Sequence, residues 1–200
     1  MNNSPEMRKE FEHKIAEITK CMKKKLDDKR YLHTLSVAYT AGCMAMRYGY
    51  DPYKAYLAGL LHDNAKCITH GKKLSLCAKF GLEISPVERE NPDLLHARLG
   101  SFLAREKYEV EDEDIISAIA YHTTGKPDMT MLEKIIYISD YIEIHRKPLP
   151  NMEEIRTLAF SDIDACMLRI LESTITYLTE KKADIDEITL ETYDFYKKLL

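Results

Sequence analysis

The amino-acid sequence predicts an all-α protein, an irregular multi-helix bundle of about eight or more helices. Three observations predict it. Apolar residues recur at helical spacing along nearly the whole chain. Cap-forming residues precede several of these runs, as in Asp51-Pro52, Ser85-x-x-Glu88 and Thr130-x-x-Glu133. No stretch alternates apolar and polar residues around a hairpin turn.

Taken in order, Ser4-Pro5 reads as a cap followed by proline at the first helical position, with a charged helix running to about Leu26. Tyr31 to Tyr48 is the next helix, with Leu35, Ala38, Ala41, Cys43 and Ala45 supplying much of its apolar face. A third runs from Pro52 to about Lys66, where the small residues Ala55, Ala58 and Gly59 would let helices approach closely. Thr69 to Pro92 is the least regular stretch, broken by Gly71, Gly81, Ser85-Pro86 and Asn91-Pro92. It holds a short helix around Leu74 to Phe80 and a capped turn at Ser85, and connects over the site rather than dividing domains. Asp93 to about Tyr108 returns to helical pattern, and Glu111 to His122 follows, its acidic start suited to the positive end of a helix dipole. The helix after Thr130 carries Ile135, Ile136, Ile138, Tyr141 and Ile142 and ends at Pro148 and Pro150. Ser161 or Asp162 opens a long helix to about Lys182, and a last one covers about Glu187 to Leu200.

A chain of 200 residues is expected to form one domain, with a core of about 31–178 and terminal helices packed on it. Its 45% hydrophobic and 31% charged residues describe an ordinary globular protein rather than a disordered one. The net charge of -4 leaves no basic footprint, so nucleic acid is not an expected partner, though a local cluster of cations could still bind phosphate. There is no apolar run of about 20 residues and no apolar leader, so a cytoplasmic protein without membrane contact is expected. The five cysteines form no Cys-x-x-Cys pair and are odd in number, which argues against zinc knuckles and a disulfide framework. Cys67 lies beside the candidate site described next, but is expected to have no direct role.

The candidate chemistry centres on Leu60-Leu61-His62-Asp63-Asn64-Ala65-Lys66. Imidazole is the commonest metal ligand, and a carboxylate can bridge two cations. Neighbours on a helix point about 100° apart, so His62 and Asp63 can share one ion only near a helix end. Lys66, three to four residues on, would hold a cation where an anionic substrate docks. The dipeptide by itself also describes a solvated helix surface. His33 and His96 sit in tidy helical contexts that suit a core residue as well as a ligand. Asp140 interrupts an apolar helix, where a carboxylate is costly unless it is hydrogen-bonded or metal-bound, and both readings stand. His122-Thr123-Thr124-Gly125 places an imidazole, two hydroxyls and backbone N–H groups at a helix end, either a phosphate grip or a simple glycine stop. His13, His70 and His145 lack such context and read as solvated.

The ordered set His33, His62-Asp63, His96, His122, Asp140 resembles the HD superfamily of helical metal-dependent phosphohydrolases. With His122-Thr123-Thr124-Gly125, and Ser139-Asp140-Tyr141-Ile142-Glu143 followed by Arg146, it is similar to the YqeK family. Members of that family are symmetrical bis(5′-nucleosyl)-tetraphosphatases, which cut diadenosine tetraphosphate into two ADP. The resemblance covers about Tyr31 to Leu178. It implies that His33, His62, Asp63 and Asp140 hold the principal metal, iron in similar proteins, and that His96 and His122 hold a second metal or contact phosphate. It further implies that Lys66, Thr123, Gly125 and Arg146 bind the polyphosphate of a dinucleoside polyphosphate or ADP-like nucleotide, with Asp63, Lys66, His96 and His122 as catalytic groups. A homodimer is compatible with it. The chain departs from the family at Asn64 and Ala97, where an aromatic and a glycine are often found, and at Thr192-Tyr193-Asp194, where Ala-Arg-Asn is usual. These departures touch nucleoside fit and leave the ligand set intact.

The chemistry stands without the name. A nitrogen–oxygen donor set with no thiolate suits iron, manganese, nickel, cobalt or zinc. Positioning and electrostatics carry most of phosphoryl transfer, so no nucleophilic side chain is required. Two rivals remain: another HD-type nucleotide phosphohydrolase or phosphodiesterase, and a helical binding or scaffold protein with an inactive metal site. The connection from Ala183 to Ile188 is a candidate cover for a nucleoside.

Overall fold

The computed structural model describes residues 5–147 and 149–200, so the Ser4 cap and the Pro148 stop lie outside the described residues. Among the described residues there are eleven helices and no strand: α1 (Pro5–Lys25), α2 (Asp28–Arg47), α3 (Pro52–Leu61), α4 (His70–Lys79), α5 (Pro86–Glu90), α6 (Leu95–Tyr108), α7 (Glu113–Ala120), α8 (Met131–Ile142), α9 (Met152–Leu158), α10 (Ile163–Glu180) and α11 (Glu187–Leu199). No described helix is long and apolar enough to cross a membrane.

The expected caps form. Asp51 accepts from the Tyr53 and Lys54 N–H groups at the start of α3. Ser85 with Glu88, and Thr130 with Glu133, close full capping boxes at α5 and α8. Each such cap occupies backbone donors that a helix start leaves unpaired. Some boundaries differ from expectation. α4 begins at His70 rather than near Leu74, α6 at Leu95 rather than Asp93, and α7 at Glu113 with Asp112 as its cap. The short α9 is unannounced in the sequence: its N-cap Asn151 sits at φ 62° and makes no side-chain cap bond.

α2 and α3 form the central pair. A Cβ on Gly59 would come within 2.8 Å of the Ala38 Cα, so only glycine permits this approach of the two backbones. Around the pair, one apolar cluster extends from Ile18 in α1 to Tyr196 in α11, with Leu60, Leu61, Ile119, Leu132, Ile135 and Ile136 fully buried within it. A smaller cluster of Ala65, Cys77, Leu95 and Leu99 seats α4 against α6, where Phe80 stacks on Phe102 at 4.3 Å. The five cysteines are free, and Cys67 is exposed.

Candidate metal centre

α3 stops at Leu61, and residues 62–67 turn tightly instead of continuing the helix to Lys66 as the periodicity suggests. The local cause is Asn64. Its backbone N–H and its side-chain Nδ2 both donate to the Leu61 carbonyl, at 3.1 and 2.8 Å, and Nδ2 also reaches the Gly100 carbonyl at 2.8 Å. These bonds take the carbonyl that another helical turn would use and pin the turn to α6. They also remove the angular problem of adjacent ligands: His62 Nε2 lies 3.5 Å from Asp63 Oδ2, aimed at one focus.

Four helices bring the other side chains to that focus. His33 from α2 places Nε2 3.0 Å from Asp140 Oδ1 on α8 and 3.8 Å from Asp63 Oδ2. His96 from α6 and His122, just past α7, place Nε2 3.2 and 3.8 Å from Asp63 Oδ1. His33, His62, Asp63, His96 and His122 are all buried.

Each imidazole is oriented from behind. His62 Nδ1 donates to the Gly59 carbonyl at 2.6 Å, His122 Nδ1 to the Ile119 carbonyl at 2.8 Å, and His96 Nδ1 to the Asp93 carbonyl. A carbonyl only accepts, so these rings carry the proton on Nδ1 and, when neutral, present a bare Nε2 to the centre. His33 Nδ1 faces Glu143 Oε1 at 3.0 Å. Such partners set tautomer and ring orientation at metal sites.

The donors fit a divalent cation. The Nε2 atoms of His33 and His62 are buried; that of His62 has no hydrogen-bond partner, and that of His33 faces the Asp140 carboxylate. His96 Nε2 and His122 Nε2 face each other at 3.2 Å. Two bare lone pairs at that separation repel unless a positive charge lies between them. Single ligand atoms of His33, His62 and Asp140, and of His62, Asp63 and His122, lie within 4.8 Å of one another and could each hold an ion.

The electrostatics agree. Burial pushes the His62 pKa down to about 4, against the opposing charge of Asp63. His96 is also lowered, by burial first, with Asp63 opposing. Burial pushes the Asp63 and Asp140 carboxyls up, but the neighbouring rings of His62, His122 and His96 for Asp63, and the His33 hydrogen bond and Arg146 charge for Asp140, outweigh it and hold both low. The centre thus offers two carboxylates and, at His62 and His96, imidazoles held neutral, the protonation states a cation requires. At His33 burial is outweighed by the hydrogen bond to Asp140, so its pKa is raised and it would give up its proton on binding a cation.

A cavity of about 790 Å³ opens from this floor, within the usual range for small-molecule sites. Lys66, Thr123 and Arg146 line it as expected. Lys66 Nζ stands 3.4 Å from His96 Nδ1, its pKa lowered by burial against the pull of Asp63. Arg146 reaches Asp140 Oδ2 at 3.3 Å and leaves its own Nε buried without a partner. Gly125 is not brought to the cavity. Its N–H bonds to the Tyr121 carbonyl at 2.9 Å, and it takes φ +67° where a Cβ would meet Thr192 Cγ2 at 2.9 Å. It serves a turn beneath α11 and has no N–H free for phosphate. The Ala183–Ile188 connection does not line the cavity either, because α10 forms that wall. Cys67 does not line it, and His13, His70 and His145 lie on the surface.

Several residues here receive no role from the sequence, although Glu143 closes the Ser139-to-Glu143 run that carries the resemblance. Arg30 lines the cavity and donates to Asp63 Oδ2 at 2.7 Å, and its position one turn before His33 on α2 was the available signal. Glu143 follows Asp140 by three residues. Tyr141, Arg169, Glu172 and Tyr177 form the far wall, and nothing local distinguishes them from an ordinary amphipathic face.

A family model described as HD domain matches residues 30–144. The chain is 37% identical over 175 residues to a symmetrical bis(5′-nucleosyl)-tetraphosphatase of Bacillus subtilis, covering 88% of this chain and 93% of that one. It is 40% identical over 173 residues to the protein of the same description from Halalkalibacterium halodurans, covering 86% and 91%. Among solved structures it is similar to a Clostridium acetobutylicum protein described as a predicted HD superfamily hydrolase involved in NAD metabolism. That match has a TM-score of 0.89 at 36% identity and covers 93% of this chain and 98% of the other.

Proposed function

The chain belongs to the HD-domain superfamily and, within it, to the symmetrical bis(5′-nucleosyl)-tetraphosphatase family, and on that footing we propose that it hydrolyses diadenosine tetraphosphate at its centre, giving two ADP. The observation that carries the proposal is the convergence of four imidazole Nε2 atoms and two carboxylates at the floor of a cavity edged by Arg30, Lys66 and Arg146. Donors suited to a cation and side chains suited to phosphate thus meet in one place.

The HD family implies a divalent metal. In this proposal His33, His62, Asp63 and Asp140 hold the principal ion, iron by family resemblance. Bound there, a divalent cation lowers the pKa of its water toward about 7 and polarises a phosphoryl oxygen. For His96 and His122 the Nδ1 bonds favour a second ion over phosphate, since a neutral imidazole so held has no Nε2 proton to donate. Lys66, Thr123 and Arg146 bind the polyphosphate. Arg146 can offer two parallel hydrogen bonds, whereas Lys66 acts as a point charge. The wall of Tyr141, Tyr177 and Glu172 has the aromatic and polar character that a nucleoside needs. The free cysteines agree with work in the reducing cytoplasm.

Product analysis tests the reading. Incubation with diadenosine tetraphosphate should give ADP alone, and hydrolysis in isotopically labelled water should put label into one ADP per turnover. Equal ATP and AMP would show that the phosphate grip is displaced by one phosphorus. Metal analysis of protein purified without a histidine tag should find iron. Stoichiometric manganese, nickel, cobalt or zinc would replace iron in the proposal, and no metal with no turnover would leave a scaffold.

A further inference from the structure

Three imidazoles of the centre are each oriented by the carbonyl three residues earlier in the chain: Gly59 for His62, Ile119 for His122 and Asp93 for His96. Two of these carbonyls belong to helices. Gly59 lies in the last turn of α3 and Ile119 in the last turn of α7, so helical geometry fixes the direction in which each carbonyl points. Asp93 has no such support. It lies in the turn ahead of α6, and Leu94, at the cap position of that helix, supplies no side-chain bond. The backbone N–H of His96 reaches the Asp93 carbonyl at a long 3.4 Å. The orientation of His96 therefore depends on what else holds Asp93.

Lys73 of α4 holds it. Its Nζ donates to Asp93 Oδ1 at 2.8 Å, and His70 Nε2 lies 3.1 Å from the same oxygen. The Lys73 side chain is 0% exposed and that of Asp93 54%, so the pair joins a fully buried ammonium to a carboxylate that water can reach. A fully buried lysine is rare unless paired, and desolvating its charge is costly. α4 gains nothing from the charge locally, because Lys73 follows the first turn of the helix, whose positive end disfavours a cation. Nor is the charge needed to seat α4 on α6, since Cys77, Leu95 and Leu99 do so with apolar contacts. What the ammonium does do is fix one carboxylate, on the residue whose carbonyl orients His96.

We propose that Lys73 is a positioning residue for His96: it clamps Asp93, and the Asp93 carbonyl fixes the imidazole with its proton on Nδ1 and Nε2 turned to the centre. Lys73 does not line the cavity, so it acts through Asp93 and not on substrate. The inference rests on the reading of His96 as a ligand of the second ion, and it gives α4 a part in that site.

Lys73→Met keeps the buried stem and removes the charge. Asp93 is then hydrated, so no charge is stranded, and Tm should equal or exceed that of the wild type. In metal-free protein carrying isotopically labelled histidine, the Nδ1–H resonance of His96, assigned by its absence from His96→Gln, should shift or broaden. In metal-loaded protein kcat/KM should fall about 10- to 100-fold, the usual size for a partner that orients a ligand. Asp93→Ala should disturb the same resonance. The double variant should lose no more activity than Lys73→Met alone, because both changes act on one carbonyl. An unchanged His96 resonance in Lys73→Met, whatever its Tm, would make the lysine a structural residue and overturn the inference, as would activity losses that add in the double variant. Failure of the ligand reading shows elsewhere. Wild-type metal content and turnover in His96→Gln would remove His96 from the centre, while the ring resonance in Lys73→Met still decides whether the clamp orients it.

Discussion

His33 Nδ1 stands 3.0 Å from Glu143 Oε1, a buried contact between residues 110 positions apart in the chain. Glu143 also accepts from the His145 backbone N–H at 2.6 Å, so its carboxylate is held from two sides. It is thereby a positioning residue for a candidate ligand.

Glu143→Gln keeps size and polarity but weakens that hold. Partners of this kind typically contribute 10- to 100-fold in metal affinity. The expected result is a loss of about that size in metal titration of chelator-stripped protein, with thermal stability little changed. Unchanged affinity would mean that His33 is oriented by packing alone.

Lys66→Ala should spare the metal and weaken turnover. Its ammonium edges the cavity beside His96, where it can meet phosphate charge. kcat/KM is expected to fall about tenfold to a thousandfold, roughly 1.4–4 kcal/mol of transition-state stabilisation. Asp63→Ala, which removes the carboxylate shared by His62, His96 and His122, should lose both metal and turnover. Metal content measured beside kinetics separates the two variants. Stoichiometric metal in Asp63→Ala would refute the ligand assignment.

Metal-free protein should weaken as the pH falls below neutral. Burial holds the folded His62 pKa at about 4, whereas a free imidazole titrates near about 6.5. The unfolded chain therefore binds the proton first, and stability present above about pH 6.5 is lost progressively down to about pH 4. At about pH 5 the loss from His62 is about 2 kcal/mol. His96, also lowered, adds to it. Burial lowers the His33 pKa, but the Asp140 hydrogen bond and charge more than reverse this, so His33 favours the fold at low pH and offsets part of the loss. Urea unfolding at about pH 7.5 and about pH 5 measures the sum. A higher midpoint at the acid end would contradict a neutral, buried His62.

Gly125→Ala tests the reassignment of that glycine from phosphate grip to turn. The substitution forces a positive φ on alanine and drives its Cβ toward Thr192 Cγ2. A cost of about 1–3 kcal/mol is expected, read as a lower Tm, with KM unchanged. A raised KM at unchanged Tm would return Gly125 to the substrate site.

The sequence by itself determined the helical class, the caps at Asp51, Ser85 and Thr130, and the ordered set of histidines and aspartates. These are properties of a few neighbouring residues, so spacing and residue type reveal them. α9 escaped because it is short, and its cap residue makes no side-chain bond that its type would announce. The end of α3 escaped because the Asn64 amide is committed partly to Gly100, a residue 36 positions away. Only the tertiary structure decided that Arg30 and Glu143 belong with the candidate ligands, that α10 rather than the Ala183–Ile188 connection walls the cavity, and that Gly125 faces Thr192. Each of these depends on which surfaces meet when the helices pack. That is settled by burial of the shared core from Ile18 to Tyr196, and no local pattern carries it.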